Sequence, residues 1–286
     1  MKWFIPAKTF LLGEYAALTG ASAIILTTAP CFELTLTSQA ELSGIHPESP
    51  AGLWWQHQQH LMTGLVWKDP YAGRGGLGAS SAQFLASYLA SCAIKRTEAH
   101  LDDMLRAYYE VSWTGKGLRP SGYDVIAQSQ KGCVYINKQK NIIDSYAWPF
   151  RDLSFFLIHT GIKLATHDHL QEATLPDHID YLSSLVDKAK LAYEQIDSKT
   201  IIATINDYHK KLSELNLVAK HSIKIINQFK KNPEILAIKG CGALGADVIL
   251  LLTSADKASN LGENLIRENW TILATEKNLY FQDQLL

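Results

Sequence analysis

Glycines crowd the segment Tyr71-Ala-Gly-Arg-Gly-Gly-Leu-Gly78, and this loop runs straight into residues 79–94, whose composition and apolar spacing predict a helix. Glycines admit left-handed turns and a close backbone approach that other residues forbid. The chain must therefore place a tight turn directly before a helix start. Such a junction gathers unpaired N–H donors and the positive end of the helix dipole, which suits a phosphate. A plain cap after a flexible turn uses the same residues. Ser80 and Ser81 offer hydroxyls for a cap, a phosphate or Mg²⁺. It is not a Walker A loop, because no Lys follows the last glycine.

Around this junction the sequence predicts a mixed α+β chain in two lobes. Short strands are expected at 2–5, 9–12, 23–26 and 31–37, with Pro30 between the last two. Residues 38–71 suggest a short helix within loops. A helix is expected over 98–111, strands at 131–137 and 153–159, and helical spacing from 177 to about 229. Strands at 235–239 and 247–253 flank a second glycine-rich turn, followed by a helix over 255–268 and a strand at 271–275. The run from Trp148 to Asp152 is a reasonable boundary, which gives domains 1–150 and 151–286.

The 286 residues are 47% apolar and 19% charged, enough to bury a substantial core without staples. A net charge of -1 gives no basic surplus for nucleic acid and no polybasic run for a membrane. No apolar stretch is long enough to span a bilayer. Cys31, Cys92, Cys133 and Cys241 lie far apart, which argues against a zinc site or a disulfide framework and favours a reducing, cytoplasmic setting. The expected partner is a small molecule, and the expected state a monomer or homodimer.

Two further motifs carry chemistry. Pro120-Ser-Gly-Tyr-Asp-Val125 puts a carboxylate on a turn, where Asp124 could accept a proton from a hydroxyl or simply cap the next helix. Lys239-Gly-Cys-Gly-Ala-Leu-Gly-Ala-Asp247 contains G-x-G-x-x-G, but a strand follows it rather than a helix. That excludes a dinucleotide-binding turn. The glycines read instead as a hairpin that could line a pocket. Leu236-Ala-Ile-Lys239 only mimics the lysine strand of protein kinases, since no H-R-D or D-F-G partner exists.

In their order and spacing these motifs resemble the GHMP kinases. Lys8-Thr-Phe-Leu-Leu-Gly-Glu-Tyr-Ala-Ala-Leu-Thr-Gly20 is similar to the family's first motif, and Gly76-Leu-Gly-Ala-Ser-Ser-Ala82 to its phosphate loop. Ser121-Gly-Tyr-Asp124 resembles the S-G-x-D of mevalonate-type members, and Gly240 to Gly245 the third motif. Thr160-Gly-Ile-Lys163 with Thr166 resembles the segment that opens the second lobe.

The resemblance implies an N-terminal α/β lobe, a ferredoxin-like C-terminal lobe and a cleft between them that binds ATP and Mg²⁺. It implies that Asp124 orients or deprotonates the acceptor and that Lys8 stabilises the developing oxyanion. It also implies that Gly75, Gly76, Leu77, Gly78, Ala79, Ser80 and Ser81 cradle the phosphates. Ser80 and Glu110 are the implied Mg²⁺ ligands. Glu14, Tyr15, Ser121, Gly122, Thr160, Lys163, Gly240 and Gly242 are the implied substrate contacts.

Ala79 departs from the family's usual serine, and Ser81 is the residue available to compensate. Gly13-Glu-Tyr-Ala-Ala-Leu and Gly242-Ala-Leu-Gly-Ala-Asp247 resemble bacterial phosphomevalonate kinases more than mevalonate kinases. The expected activity is thus transfer of the ATP γ-phosphate to mevalonate or 5-phosphomevalonate, leaning to the latter. Arg74, Lys116, Arg119 and Lys163 are candidates for an extra phosphate on the acceptor. A non-catalytic nucleotide or metabolite sensor, and a kinase for another acceptor such as a sugar, are the alternatives. His57 and His60, and His167 and His169 about Asp168, read as surface or packing residues. Trp54 and Trp55 read as core.

Overall fold

The computed structural model describes residues 1–58, 62–162 and 179–281. Two sheets organise the chain. The first runs β3-β4-β2-β5-β6 with β1 also paired to β2. Its strands are β1 (Lys2–Leu12), β2 (Ala23–Thr37), β3 (Leu42–Ser43), β4 (Gly64–Lys68), β5 (Cys133–Asn137) and β6 (Ile142–Tyr146). The second is antiparallel in the order β10-β7-β9-β8, from β7 (Leu153–His159), β8 (Ile235–Cys241), β9 (Val248–Ser254) and β10 (Ile272–Thr275).

The helices are α1 (Pro50–His57), α2 (Ala79–Lys95), α3 (Leu101–Ser112), α4 (Tyr123–Gln128), α5 (Ile179–Gln195), α6 (Ser198–Glu214), α7 (Lys220–Phe229) and α8 (Ala258–Arg267). Helices α5 to α7 lie between β7 and β8, and α8 lies between β9 and β10. With that strand order, this is the ferredoxin-like lobe that the family resemblance implies.

Local chemistry explains the elements. Pro50 opens α1 behind Ser49, whose hydroxyl accepts the Gly52 N–H at 3.2 Å. Asp197 caps α6 by accepting the Lys199 and Thr200 amides, both at 3.1 Å. In β9, Ile249, Leu250, Leu251 and Leu252 are fully buried, as a strand covered on both faces requires. Each contributes roughly 1.5–3 kcal/mol from burial alone.

Three differences from the sequence reading have physical causes. Strand β1 is one strand and not two, because Pro6 sits where the pairing with β2 shifts register between Ile5 and Ala7. Strand β2 likewise runs through Pro30. Strands β3, β4 and β6 lie where the sequence predicts none: β3 and β4 are two and five residues inside a loop-like stretch, and β6 is a five-residue edge strand.

The two sheets meet where the end of β1 touches β8, while α6 packs on β1 and α5 on β2. On the α5 side, Asp187 accepts from Ser22 and from the Tyr135 hydroxyl (2.8 Å). Near the C-terminus, the Tyr280 amide donates to the Thr27 carbonyl (2.9 Å), and its carbonyl accepts the Gly132 amide (2.7 Å). The last described residues thus lie along the first sheet. Among the described residues no helix is long and apolar enough to cross a membrane.

Candidate active site

Strand β1 brings Lys8 to the centre of the molecule. Its Nζ lies 2.9 Å from Oδ2 of Asp124, with the lysine side chain nearly buried and the carboxylate about one third exposed. Asp124 stands in the first turn of α4, two residues after the left-handed cap residue Gly122 (φ 76°). One carboxylate oxygen is fixed by the ammonium, and the group remains open to a ligand hydroxyl. That is the geometry a proton acceptor needs.

The glycine-rich loop is built against the same strand. Asp69 holds its entrance, accepting the amides of Tyr71 (2.7 Å) and Gly73 (2.8 Å). Lys8 N–H donates to the Leu77 carbonyl at 3.0 Å. Gly78 then turns left-handed (φ 76°) into α2, and a Cβ there would come within 2.7 Å of Lys8 Cγ. No other residue fits both the φ and the space.

The two serines diverge. Ser80 is exposed in the first turn of α2. Ser81 is buried, donating to the Gly78 carbonyl (2.9 Å) and to Gln128 Oε1 (2.7 Å). Its hydroxyl is engaged in the protein, so it does not replace the hydroxyl that Ala79 lacks.

The turn before Asp124 is held from α3 and from the residue after β5. Tyr109 Oη donates to the Ser121 carbonyl at 2.8 Å, and Lys138 Nζ donates to both Tyr109 Oη (2.6 Å) and Ser121 O (3.0 Å). Arg119 lies 4.5 Å over the Tyr109 ring. The Ser121 hydroxyl accepts the Tyr123 amide at 3.2 Å. Tyr108, on the same helix, is half-buried, and desolvation with the nearby Asp124 charge raises its phenol well above the usual range. Glu110, two residues on, is exposed.

The third motif is a hairpin whose turn is a 3₁₀ segment, Ala243–Gly245. Gly240 and Gly245 pack backbone to backbone, and a Cβ on Gly240 would meet Gly245 O at 2.6 Å. The hairpin leans on the glycine-rich loop, since a Cβ on Gly75 would meet Asp247 at 2.8 Å and one on Gly76 would meet Val248 at 2.7 Å. Thr160 ties β7 to the same turn, donating its hydroxyl to Ala246 O (2.6 Å) and its amide to Asp247 O (3.0 Å).

Glu14 and Tyr15 turn out to hold this hairpin. Glu14 is buried in an ion pair with Lys239, which is itself fully buried. Burial raises the Glu14 carboxyl, opposed first by Lys239. Tyr15 Oη accepts the Leu244 amide at 3.2 Å, and burial pushes its phenol up to about 12. Lys239 was read in the sequence only as a mimic; a lone lysine in an apolar strand beside a glycine turn was the signal for its role. Gln128 and Lys138 were also missed. Burial pushes the Cys241 thiol up to about 11, against any special reactivity.

Lys163, Thr166, His167, Asp168, His169 and His60 lie outside the described residues. Trp54 packs on Phe84 and Tyr88, as core, and Trp55 is buried. Among the described residues there is no group of three or more His, Cys, Asp or Glu side chains that could cage a metal.

No family model matches the chain, and no curated protein does. Solved structures do match over nearly its whole length. The chain is similar to the Methanococcus jannaschii mevalonate kinase, with 16% identity, a TM-score of 0.74, and 99% of this chain and 98% of that one covered. It is similar to the Streptococcus pneumoniae phosphomevalonate kinase in complex with phosphomevalonate and AMPPNP, with 16% identity, a TM-score of 0.78, and 96% and 99% covered. The Lactococcus lactis galactokinase complexed with galactose matches at 10% identity and a TM-score of 0.72, with 95% and 92% covered. The two-lobed α+β fold of these kinases is the fold of this chain.

Proposed function

We propose that this protein is an ATP-dependent small-molecule kinase of the GHMP type, acting in the mevalonate pathway on mevalonate or 5-phosphomevalonate. The observation that carries this reading is the joining of Lys8, Asp124 and the glycine-rich loop on one strand, β1, within a fold shared with such kinases. Phosphoryl transfer needs chiefly positioning and neutralised charge. The loop amides from Gly75 to Ser80 receive the ATP phosphates at the start of α2. Asp124 orients the acceptor hydroxyl and takes its proton as the oxygen attacks the γ-phosphorus. Lys8 stabilises the oxyanion that develops beside it. The two lobes, 1–150 and 151–286, form the walls of the cleft.

The oxygen donors fit a Mg²⁺ that arrives with ATP, and the exposed Ser80 hydroxyl is the protein ligand best placed for it. Glu110 is the second candidate ligand. Bound there, Mg²⁺ would neutralise charge on the phosphates. Among acceptors, 5-phosphomevalonate is favoured, because the Arg119 guanidinium lies 4.5 Å over the Tyr109 ring, whose hydroxyl holds the Ser121–Asp124 turn, and a guanidinium there suits an anionic group. Glu14, Tyr15, Gly240 and Gly242 shape the acceptor side through the hairpin, with Thr160 at its base. The protein works in the cytoplasm as a monomer or homodimer.

The test is ADP release from Mg-ATP with mevalonate, 5-phosphomevalonate, galactose and homoserine. Turnover on one of the first two supports the reading. Activity on galactose or homoserine alone moves the enzyme out of the mevalonate pathway. Silence on all four with Mg-ATP bound points to a sensor.

A further inference from the structure

Gln128 is fully buried and yet every polar group of its amide is used. Its Nε2 donates to the Pro6 carbonyl of β1 at 2.8 Å and to the Gly78 carbonyl at 3.1 Å. Its Oε1 accepts from the Ser81 hydroxyl at 2.7 Å. Gln128 stands one helical turn after Asp124 on α4, so the two side chains share a face. A Cβ on Gly78 would come within 3.0 Å of the same Nε2 and within 2.8 Å of Lys8 Cε. One side chain therefore touches the strand of Lys8, the helix of Asp124 and the turn that starts α2.

These contacts satisfy both N–H donors and the oxygen of the Gln128 amide. A buried amide must find partners, but these partners are specific. The Gly78 carbonyl already accepts from Ala82 N (2.9 Å) and from Ser81 (2.9 Å). Gln128 adds the link that sets this turn against α4. The left-handed Gly78 has no side chain with which to hold itself, so its place depends on what grips its carbonyl.

We infer that Gln128 is a positioning residue that locks the phosphate loop to the Lys8–Asp124 pair, so that bound phosphate and acceptor oxygen are held in one register. The inference rests on the kinase reading for its catalytic consequence, but not for its structural one. Phosphoryl transfer loses rate steeply when the reacting atoms are misplaced, so the lock acts on nucleotide placement and turnover rather than on acceptor affinity.

The test uses the full chain with Gln128→Met, which keeps length and removes the hydrogen bonds, and Ser81→Ala, a milder change that breaks one of them. Amide hydrogen exchange of residues 75–82 in the ligand-free protein, with thermal melting in parallel, reads the lock directly. Exchange in that segment should quicken at least tenfold in Gln128→Met, and less in Ser81→Ala, while β9 stays protected. In turnover assays the KM for Mg-ATP should rise and kcat should fall at least tenfold, with the acceptor KM unchanged. Unaltered exchange over 75–82 in both variants overturns the inference, as does an equal rise in both KM values. If the wild type fails to bind Mg-AMPPNP, the kinase reading falls, and the exchange measurement still decides the role of Gln128.

Discussion

Glu14, in the turn after β1, and Lys239, on β8, form an ion pair buried between the two lobes, with side-chain exposures of 4% and 0%. The pair joins the first and third glycine-bearing motifs. Removing one partner strands the other charge away from water. Lys239→Met should destabilise the protein by about 3–5 kcal/mol, and Glu14→Leu combined with Lys239→Met should recover most of that loss. Denaturant unfolding of the three proteins gives the comparison; a double variant no more stable than the single one would show that the pair contributes beyond compensating its own burial.

Gly78 combines a positive φ with contact to Lys8, so Gly78→Ala combines backbone strain of about 1–2 kcal/mol with displacement of the lysine. Activity should fall further than stability does. Thermal melts beside steady-state kinetics separate the two effects, and a variant with wild-type kcat/KM would show that Lys8 tolerates the shift.

Tyr123 is fully buried, donating to Ala21 O at 2.8 Å and accepting the Lys138 amide at 3.0 Å. Tyr123→Phe leaves both groups unpaired and should cost about 1–3 kcal/mol. A loss below the error of chemical denaturation would mean that water replaces the hydroxyl.

His209 is buried on α6, and burial, with Lys230 and Lys239 nearby, lowers its imidazole from 6.5 to about 4. The folded protein thus holds it neutral, while the unfolded chain protonates near 6.5. Its contribution is intact above 6.5 and is lost as pH falls from 6.5 to about 4, a change on the order of 3 kcal/mol. Stability measured across that range should fall less steeply in His209→Leu than in the wild type. Parallel curves would place the acid sensitivity elsewhere.

The long apolar runs were legible because their periodicity states the element and its burial together: β7 matches the reading of 153–159 without a shift. The motif order made Lys8, Asp124 and the loop visible. Partners set by tertiary contact were not legible. Nothing near Gln128 in the chain marks it as a bridge to Pro6 and Gly78, and nothing near Glu14 points to Lys239. Ser81 and Ser80 look equivalent in sequence, but their positions around the α2 axis bury one and expose the other. Strand β6 is not legible because it is five residues long and its half-buried face, Ile142, Asp144 and Tyr146, has a carboxylate at its centre.

In the proposed function Asp124, held by Lys8, activates an acceptor for the γ-phosphoryl group of ATP. The most direct measurement is ³¹P NMR of the wild type and Asp124→Asn with Mg-ATP and 5-phosphomevalonate or mevalonate. A new phosphorylated acceptor is expected from the wild type, with its rate of formation falling by about 10²–10⁴-fold in Asp124→Asn while Mg-ATP still binds. Equal product formation by both proteins, or none by the wild type on either acceptor, would contradict it.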